Sequence, residues 1–195
     1  MDQPTFRIDW ASEATTLAAI EPDLGEVATH AAQLALAYNH PANATLMGHT
    51  EEMSAPEIVD HYRDMAEDGA RAFLLFHDGA FAGDADLRGI HEGAAEFAFM
   101  IGAPAAQGKG LGTRFAAMIH AFGFSALGLH HIYASVVPTN TASRRVFEKL
   151  GYVHDDSPTA RSYADEPDDI TLGIDRATFE RLNATALAHV RITPR

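Results

Sequence analysis

The stretch EFAFMIGAPAAQGKGLGTRF, residues 96–115, carries the change of period that decides the fold. Residues 96–101 are apolar apart from Glu96 and read as a buried strand. Glycines then crowd at positions 108, 110 and 112. From 109 to 127 the apolar residues Leu111, Phe115, Met118, Phe122 and Ala126 recur on one helical face. A glycine-rich turn therefore joins the end of a buried strand to the start of an amphipathic helix. Glycines let a ligand approach the backbone without Cβ obstruction, and the first helical turn offers free N–H groups backed by the helix dipole. A pyrophosphate fits that geometry.

Outward from this stretch, the same periodicities place the other elements. Residues 24–38 carry apolar Leu24, Val27, Ala28, Ala31, Leu34, Ala35 and Tyr38 at helical spacing. Ser54, Pro56 and Glu57 read as a capped helix start, with the helix ending near Gly69. Residues 72–77 and 80–87 read as strands joined by an Asp78-Gly79 turn. Further strands are predicted at 131–137 and 170–174, and helices at 140–150 and 176–190. A hairpin followed by strands alternating with helices gives a mixed α/β sheet.

No repeat or linker divides the 195 residues, and 47% hydrophobic content suffices for one core. The expectation is a single domain over 1–195, with helices in 1–70, a central core in 72–155 and a C-terminal strand and helix in 156–195. The net charge is −13, which argues against nucleic acid or an anionic membrane as main partner. The charge is uneven: residues 107–150 hold 5 basic and 1 acidic side chains, including both lysines, Lys109 and Lys149. With 0 cysteines, disulfides, thiolate metal sites and cysteine nucleophiles are excluded. No apolar signal segment or membrane-length run is present, so a cytoplasmic location is expected. A homodimer is compatible with these features.

Three phosphate-binding loops compete for residues 107–113. A P-loop requires Gly-Lys followed by Ser or Thr after four free positions, and a dinucleotide fingerprint requires a glycine at 113; neither is present. What remains is Gln-x-x-Gly-x-Gly, with Gln107, Gly110 and Gly112 in the fixed places. A second string, NTASRRVFEKLGY at residues 140–152, follows at the spacing of one helix and one strand. Together the two strings resemble the acyl-CoA motifs of the GNAT N-acetyltransferase superfamily, over roughly residues 72–155, and are most similar to the branch of ribosomal-protein and polyamine acetyltransferases. The resemblance implies a GNAT-like acyl-CoA N-acyltransferase fold, an α/β fold of six to seven mostly antiparallel strands flanked by helices, with acetyl-CoA as co-substrate. Gln107, Gly108, Lys109, Gly110, Leu111, Gly112 and Thr113 would hold the pyrophosphate. Met100 and Ile101 would pair through their backbone with pantetheine, and Asn140 and Ser143 would contact pantetheine or the adenine-side phosphates. Arg144 or Arg145 would reach the 3′-phosphate. Asn140 can equally be a helix cap, and the arginines a solvated face.

Transfer of an acetyl group to an amine needs the neutral amine. For an alkylamine this costs about 4–5 kcal/mol at pH 7, but only about 1 for an α-amine, so alkylamine acceptors need a base more. Glu96, alone among apolar neighbours, is the catalytic candidate: either a base facing a ligand or a structural carboxylate satisfied by backbone or an arginine. Position 147 departs from the superfamily pattern. A tyrosine there commonly protonates the departing thiolate, but this chain has Phe147, leaving solvent, Tyr152 or Tyr163 as sources. The enzyme reading is thus a direct ternary-complex N-acetyltransferase; its alternative is a non-catalytic acyl-CoA-binding module. The resemblance makes the helices of residues 1–70 the acceptor side and acceptor wall, where Glu51, Glu52, Glu57, Asp60 and Asp64 near Tyr38 and Tyr62 are either a solvated acidic surface or a wall for a cationic amine: a polyamine, an aminoglycoside or a peptide N-terminus. The 11 histidines form no metal motif, and Ser125 lacks the flanking glycine of a hydrolase elbow.

Overall fold

The computed structural model describes residues 4–12, 15–47, 51–102 and 110–195. Among these, one sheet holds nine strands: β1 (Phe6–Ser12), β2 (Thr15–Ile20), β3 (Arg71–His77), β4 (Ala80–His91), β5 (Ala94–Ile101), β6 (His131–Val136), β7 (Val153–His154), β8 (Ile170–Asp175) and β9 (Val190–Pro194). The helices are α1 (Leu24–Tyr38), α2 (Pro41–Met47), α3 (Ala55–Glu67), α4 (Leu111–Ser125), α5 (Thr141–Leu150), α6 (Pro158–Arg161), α7 (Arg176–Leu182) and α8 (Ala184–Leu187). The strand order is β7-β8-β6-β5-β4-β3-β2-β1-β9, and β5–β6 is the one parallel neighbour pair among the described strands.

Helix α4 covers one face of the sheet. Its Phe115, Met118, Ile119 and Phe122 are fully buried, packed with Phe73 and Leu87 of the hairpin and Phe97 of β5. Each such side chain contributes about 1.5–3 kcal/mol by leaving water. Helices α1 and α3 cover the other face, where Val27, Leu34 and Tyr38 meet Ile58, Tyr62, Leu74 and Met100. Local chemistry sets their starts. Asp23 and Glu26 form a reciprocal capping box on α1, and at α3 the Ser54 backbone N–H donates to the Glu57 carboxylate at 2.7 Å, with Pro56 in the first turn.

The mixed sheet flanked by helices is as expected, but its described strands number nine rather than six to seven. The N-terminal segment is not only helical: β1 alternates Phe6, Ile8 and Trp10 with Arg7 and Asp9, and pairs with both β2 and β9. The expected helix over 176–190 is also corrected. It breaks at Asn183, whose buried amide donates to the carbonyls of Leu150 and Phe179 and so holds the chain out of helical continuation. After α8, residues 190–194 leave as strand β9.

Candidate active site

The parallel pair β5–β6 is registered at Ala94 with His131, Ala95 with Ile132 and Glu96 with Tyr133, and no further. Beyond Glu96 the two strands diverge. This leaves the β6-facing side of residues 97–100 without a β6 partner in the register, and a cleft opens between the strand ends. One half of it, about 340 Å³, is lined by Phe99, Met100 and Ile101 of β5, the α4 start at Leu111, Gly112 and Thr113, and Asn140, Ser143, Arg145 and Lys149 around α5.

The α4 start suits an anion. Gly110 precedes the helix with φ +74°, a conformation other residues rarely adopt, and among the described residues no side chain caps the helix and no acid sits in its first turn. The N–H groups of that turn are left to the cleft. Gly112 is small for a different reason: a Cβ there would lie 3.2 Å from the Phe99 ring and 3.4 Å from Val146. Across the cleft, Arg145 and Lys149 stand one turn apart on α5. Asn140 caps α5, its Oδ1 accepting from the Ser143 N–H at 3.0 Å, and still lines the cleft, so cap and cleft wall coincide.

A second half, about 190 Å³, joins the first through the shared residues Leu46, Phe99, Met100, Asn140 and Ser143. Its character is acidic. The antiparallel register of β4 with β5 sets Asp84 opposite Met100, Asp86 opposite Ala98 and Arg88 opposite Glu96, all on the α1/α3 side. Asp84, Asp86 and Arg88 line this half, together with His61, Ser135, Phe147 and Asp169. Asp84 accepts hydrogen bonds from the hydroxyls of Tyr38 at 2.7 Å and Tyr62 at 2.9 Å. Burial raises its pKa to about 6 against the pull of those two donors. Asp169 accepts from the Ser135 hydroxyl at 2.9 Å. Asp86 is different: its Oδ1 is buried with no hydrogen-bond partner and lies 3.8 Å from Arg88 Nε. Burial pushes Asp86 up to about 7, with Arg88 opposing and Asp84, Glu96 and Asp165 adding to the rise.

The structure brings Met100, Ile101, Gly110, Leu111, Gly112, Thr113, Asn140 and Ser143 to one cleft, whereas Gln107, Gly108 and Lys109 lie outside the described residues. Arg144 does not line the cleft. Helical spacing from Ala142 presents Arg145, Val146 and Lys149 instead, and Arg144 is turned away by about 100° from its neighbour. Glu96 is not among the residues lining either half. It is buried and accepts from Arg88 Nε at 2.9 Å and Nη2 at 3.3 Å, the arginine-satisfied arrangement that its sequence left open. Desolvation still raises its pKa, against Arg88.

The acidic wall is also corrected. Glu51, Glu52, Glu57, Asp60 and Asp64 are exposed and line neither half, Glu57 being engaged with Ser54 and Asp60 with Arg63. The cleft's acids come from β4 and the β8 approach. The signal was the string GDADLR, which puts two carboxylates on one face of a strand whose alternate residues are apolar. Tyr152 and Tyr163 line neither half: Tyr152 donates to the neutral His120, and Tyr163 to the Gly89 carbonyl. Among the described residues no His, Asp and Glu group could hold a metal, and no helix is long and apolar enough to cross a membrane.

The family model of the acetyltransferase (GNAT) domain matches residues 18–153, a range that runs from within β2 through the hairpin, β5, α4 and β6 to just past the end of α5. The chain belongs to the GNAT acetyltransferase domain family. It is 36% identical over 94 residues to the spermidine N(1)-acetyltransferase of Escherichia coli K12, covering 47% of this chain and 48% of that protein. The chain thus spans about half the length of this curated GNAT relative. Its fold is similar to that of Mycobacterium smegmatis RimJ in complex with CoA-disulfide, with a TM-score of 0.75 at 18% identity over 96% of this chain and 97% of that one. The Vibrio cholerae spermidine N-acetyltransferase in complex with CoA and spermine gives a TM-score of 0.67 at 20% identity, covering 84% of this chain and 97% of the other.

Proposed function

We propose that this GNAT protein transfers the acetyl group of acetyl-CoA to the primary amine of a small cationic acceptor by direct attack in a ternary complex. The observation that carries the reading is the junction of the two half-clefts. A basic, helix-N-terminal half suited to the phosphates and pantetheine arm of CoA opens at Phe99 and Met100 into a half walled by Asp84, Asp86 and Asp169. Leu111, Gly112 and Thr113 would hold the pyrophosphate, Arg145 and Lys149 the remaining phosphate charge, and the cleft-facing backbone of residues 97–100 the pantetheine amides. With 0 cysteines no acyl-enzyme on sulfur is available, and proximity of amine to thioester does the work.

Three carboxylates in a narrow cleft favour an acceptor with more than one positive charge, because each close ion pair gains about 4 kcal/mol at an effective dielectric near 20. A polyamine or aminoglycoside fits better than a singly charged peptide N-terminus, and the spermidine acetyltransferases among the relatives support that order. Release of CoA thiol is the direct test, with spermidine, an aminoglycoside and a peptide N-terminus offered in turn. Turnover with the polycations is expected. Tight acetyl-CoA binding without thiol release for any amine would favour the non-catalytic acyl-CoA module.

A further inference from the structure

Four carboxylates stand on or beside the acidic half-cleft, and their partners separate them. Asp84 is held by two tyrosine hydroxyls, Asp169 by the Ser135 hydroxyl and the Glu166 N–H, and Glu96 by two nitrogens of Arg88. A carboxylate whose lone pairs are engaged in this way can attract an ammonium but is a poor acceptor of its proton. Asp86 lines the acceptor half of the cleft, its buried Oδ1 has no hydrogen-bond partner among the described residues, and 15% of its side chain remains exposed. We propose that Asp86 is the catalytic base that takes the proton from the acceptor ammonium, and that Glu96 is a positioning residue that fixes Arg88 beside it. This rests on the acetyltransferase reading above.

One proton of the acceptor R–NH3+ passes to the Asp86 carboxylate and from there to water. The freed nitrogen lone pair forms the C–N bond to the thioester carbonyl carbon. As the tetrahedral intermediate collapses, the C–S electron pair leaves on sulfur, and a second nitrogen proton reaches the CoA thiolate through water. The products are R–NH–CO–CH3 and CoA thiol.

The surroundings tune the base. Asp84 and Arg88 flank Asp86 on β4, Glu96 faces it from β5, and Tyr38 of α1, Tyr62 and His61 of α3, and Asp165 and Asp169 of the segment before β8 complete the shell. Burial and the three neighbouring acids Asp84, Glu96 and Asp165 hold Asp86 near neutrality, where a base is most effective, and Arg88 prevents a higher value. The base acts when deprotonated. With an alkylamine acceptor, kcat/KM rises through about pH 7 and levels off while the amine is still an ammonium ion.

The test is the pH profile of kcat/KM with spermidine for the wild type and for Asp86→Asn, Asp86→Ser and Glu96→Gln, each checked for CoA affinity and thermal midpoint. Asp86→Asn should lose about 10²- to 10⁴-fold near pH 7.5 with CoA affinity retained. It should replace the plateau by a continuing rise toward the amine pKa, because the variant must capture the rare neutral amine. Asp86→Ser repeats the measurement in a smaller side chain should the amide fail to fold. Glu96→Gln should keep the limb and move it to lower pH, since losing Glu96 removes a repelling charge and frees Arg88 toward Asp86. A plateau that survives in Asp86→Asn, or a limb that disappears in Glu96→Gln, overturns the assignment. A wild type that binds CoA but acetylates no amine overturns the acetyltransferase reading, and the base with it.

Discussion

The two halves of the cleft are built in opposite ways. The cofactor half is the more local: one strand end, the helix start that follows it and one face of α5 supply most of its described walls, with α2 adding the rest. The acceptor half is long-range, drawing on α1, α2, α3, β4, β5, β6, α5 and the approach to β8. Ligand recognition by backbone N–H groups can be encoded in a short glycine pattern. Recognition by side-chain charge instead requires the register of distant strands.

The acceptor half breaks most severely at Asp84. Replacing it by Ala leaves the hydroxyls of Tyr38 and Tyr62 buried without their acceptor, which costs about 2–5 kcal/mol and roughly 5–15 °C in thermal midpoint. Asp84→Asn keeps an acceptor and removes a buried charge. Because the folded-state pKa of Asp84 is raised to about 6 from 3.8, the stability tied to its proton is present at low pH and fades as pH rises through that window. The Asn variant therefore gains on the wild type as pH climbs from about 4 to about 6 and holds that gain above. His120, whose burial lowers its pKa to about 4 and acts in the opposite sense, cancels in the difference. Chemical denaturation of both proteins at several pH values checks the sign. A constant difference would remove Asp84 from the account of the cleft's charge.

The cofactor half breaks at Gly112. A valine there puts its methyls into Phe99 and Val146, already 3.2 and 3.4 Å from a Cβ, and displaces the helix start whose N–H groups face the cleft. Overpacking of this kind costs about 1–3 kcal/mol, which read as binding is about 5- to 150-fold in CoA affinity. Calorimetric titration with CoA measures it. If the halves are separable in function as they are in construction, Asp84→Asn leaves CoA affinity within about threefold and Gly112→Val does not.

The same contrast explains how much was legible in the sequence. Residues 96–115 announced strand, turn and helix because glycine and period change lie within one stretch, α1 was announced by its apolar spacing and α3 by Ser54, Pro56 and Glu57. The acid pair Asp84 and Asp86 was visible as a string, but facing Tyr38 and Tyr62 depends on two helices that precede it by dozens of residues. Glu96 was picked out by its apolar neighbours, yet its partner Arg88 is fixed only by the β4–β5 register, which sets them opposite one another. The C-terminal strand was hidden because residues 176–187 are helix formers by composition, and the break rests on one buried amide at Asn183 anchoring to α5.

Phe147 is the smallest lever, and it tests where the two halves meet. Its ring stands edge-on to Phe97 and Phe99 at 6.1 and 6.0 Å and to Tyr152 at 4.9 Å, so packing alone accounts for an aromatic residue there. A tyrosine would add a proton donor at the wall of the acceptor half. The departing thiolate gains little from one: with a thiol pKa near 8.5, protonation at pH 7 releases only about 2 kcal/mol, and water supplies that proton unaided. Nitrogen deprotonation, at about 4–5 kcal/mol, is the larger demand, and it falls on the carboxylates. Phe147→Tyr should therefore change kcat by no more than about threefold and leave the alkaline plateau in place. An increase above about tenfold would mean that sulfur protonation limits the native chain, and that the cofactor half, rather than the acid wall, sets its rate.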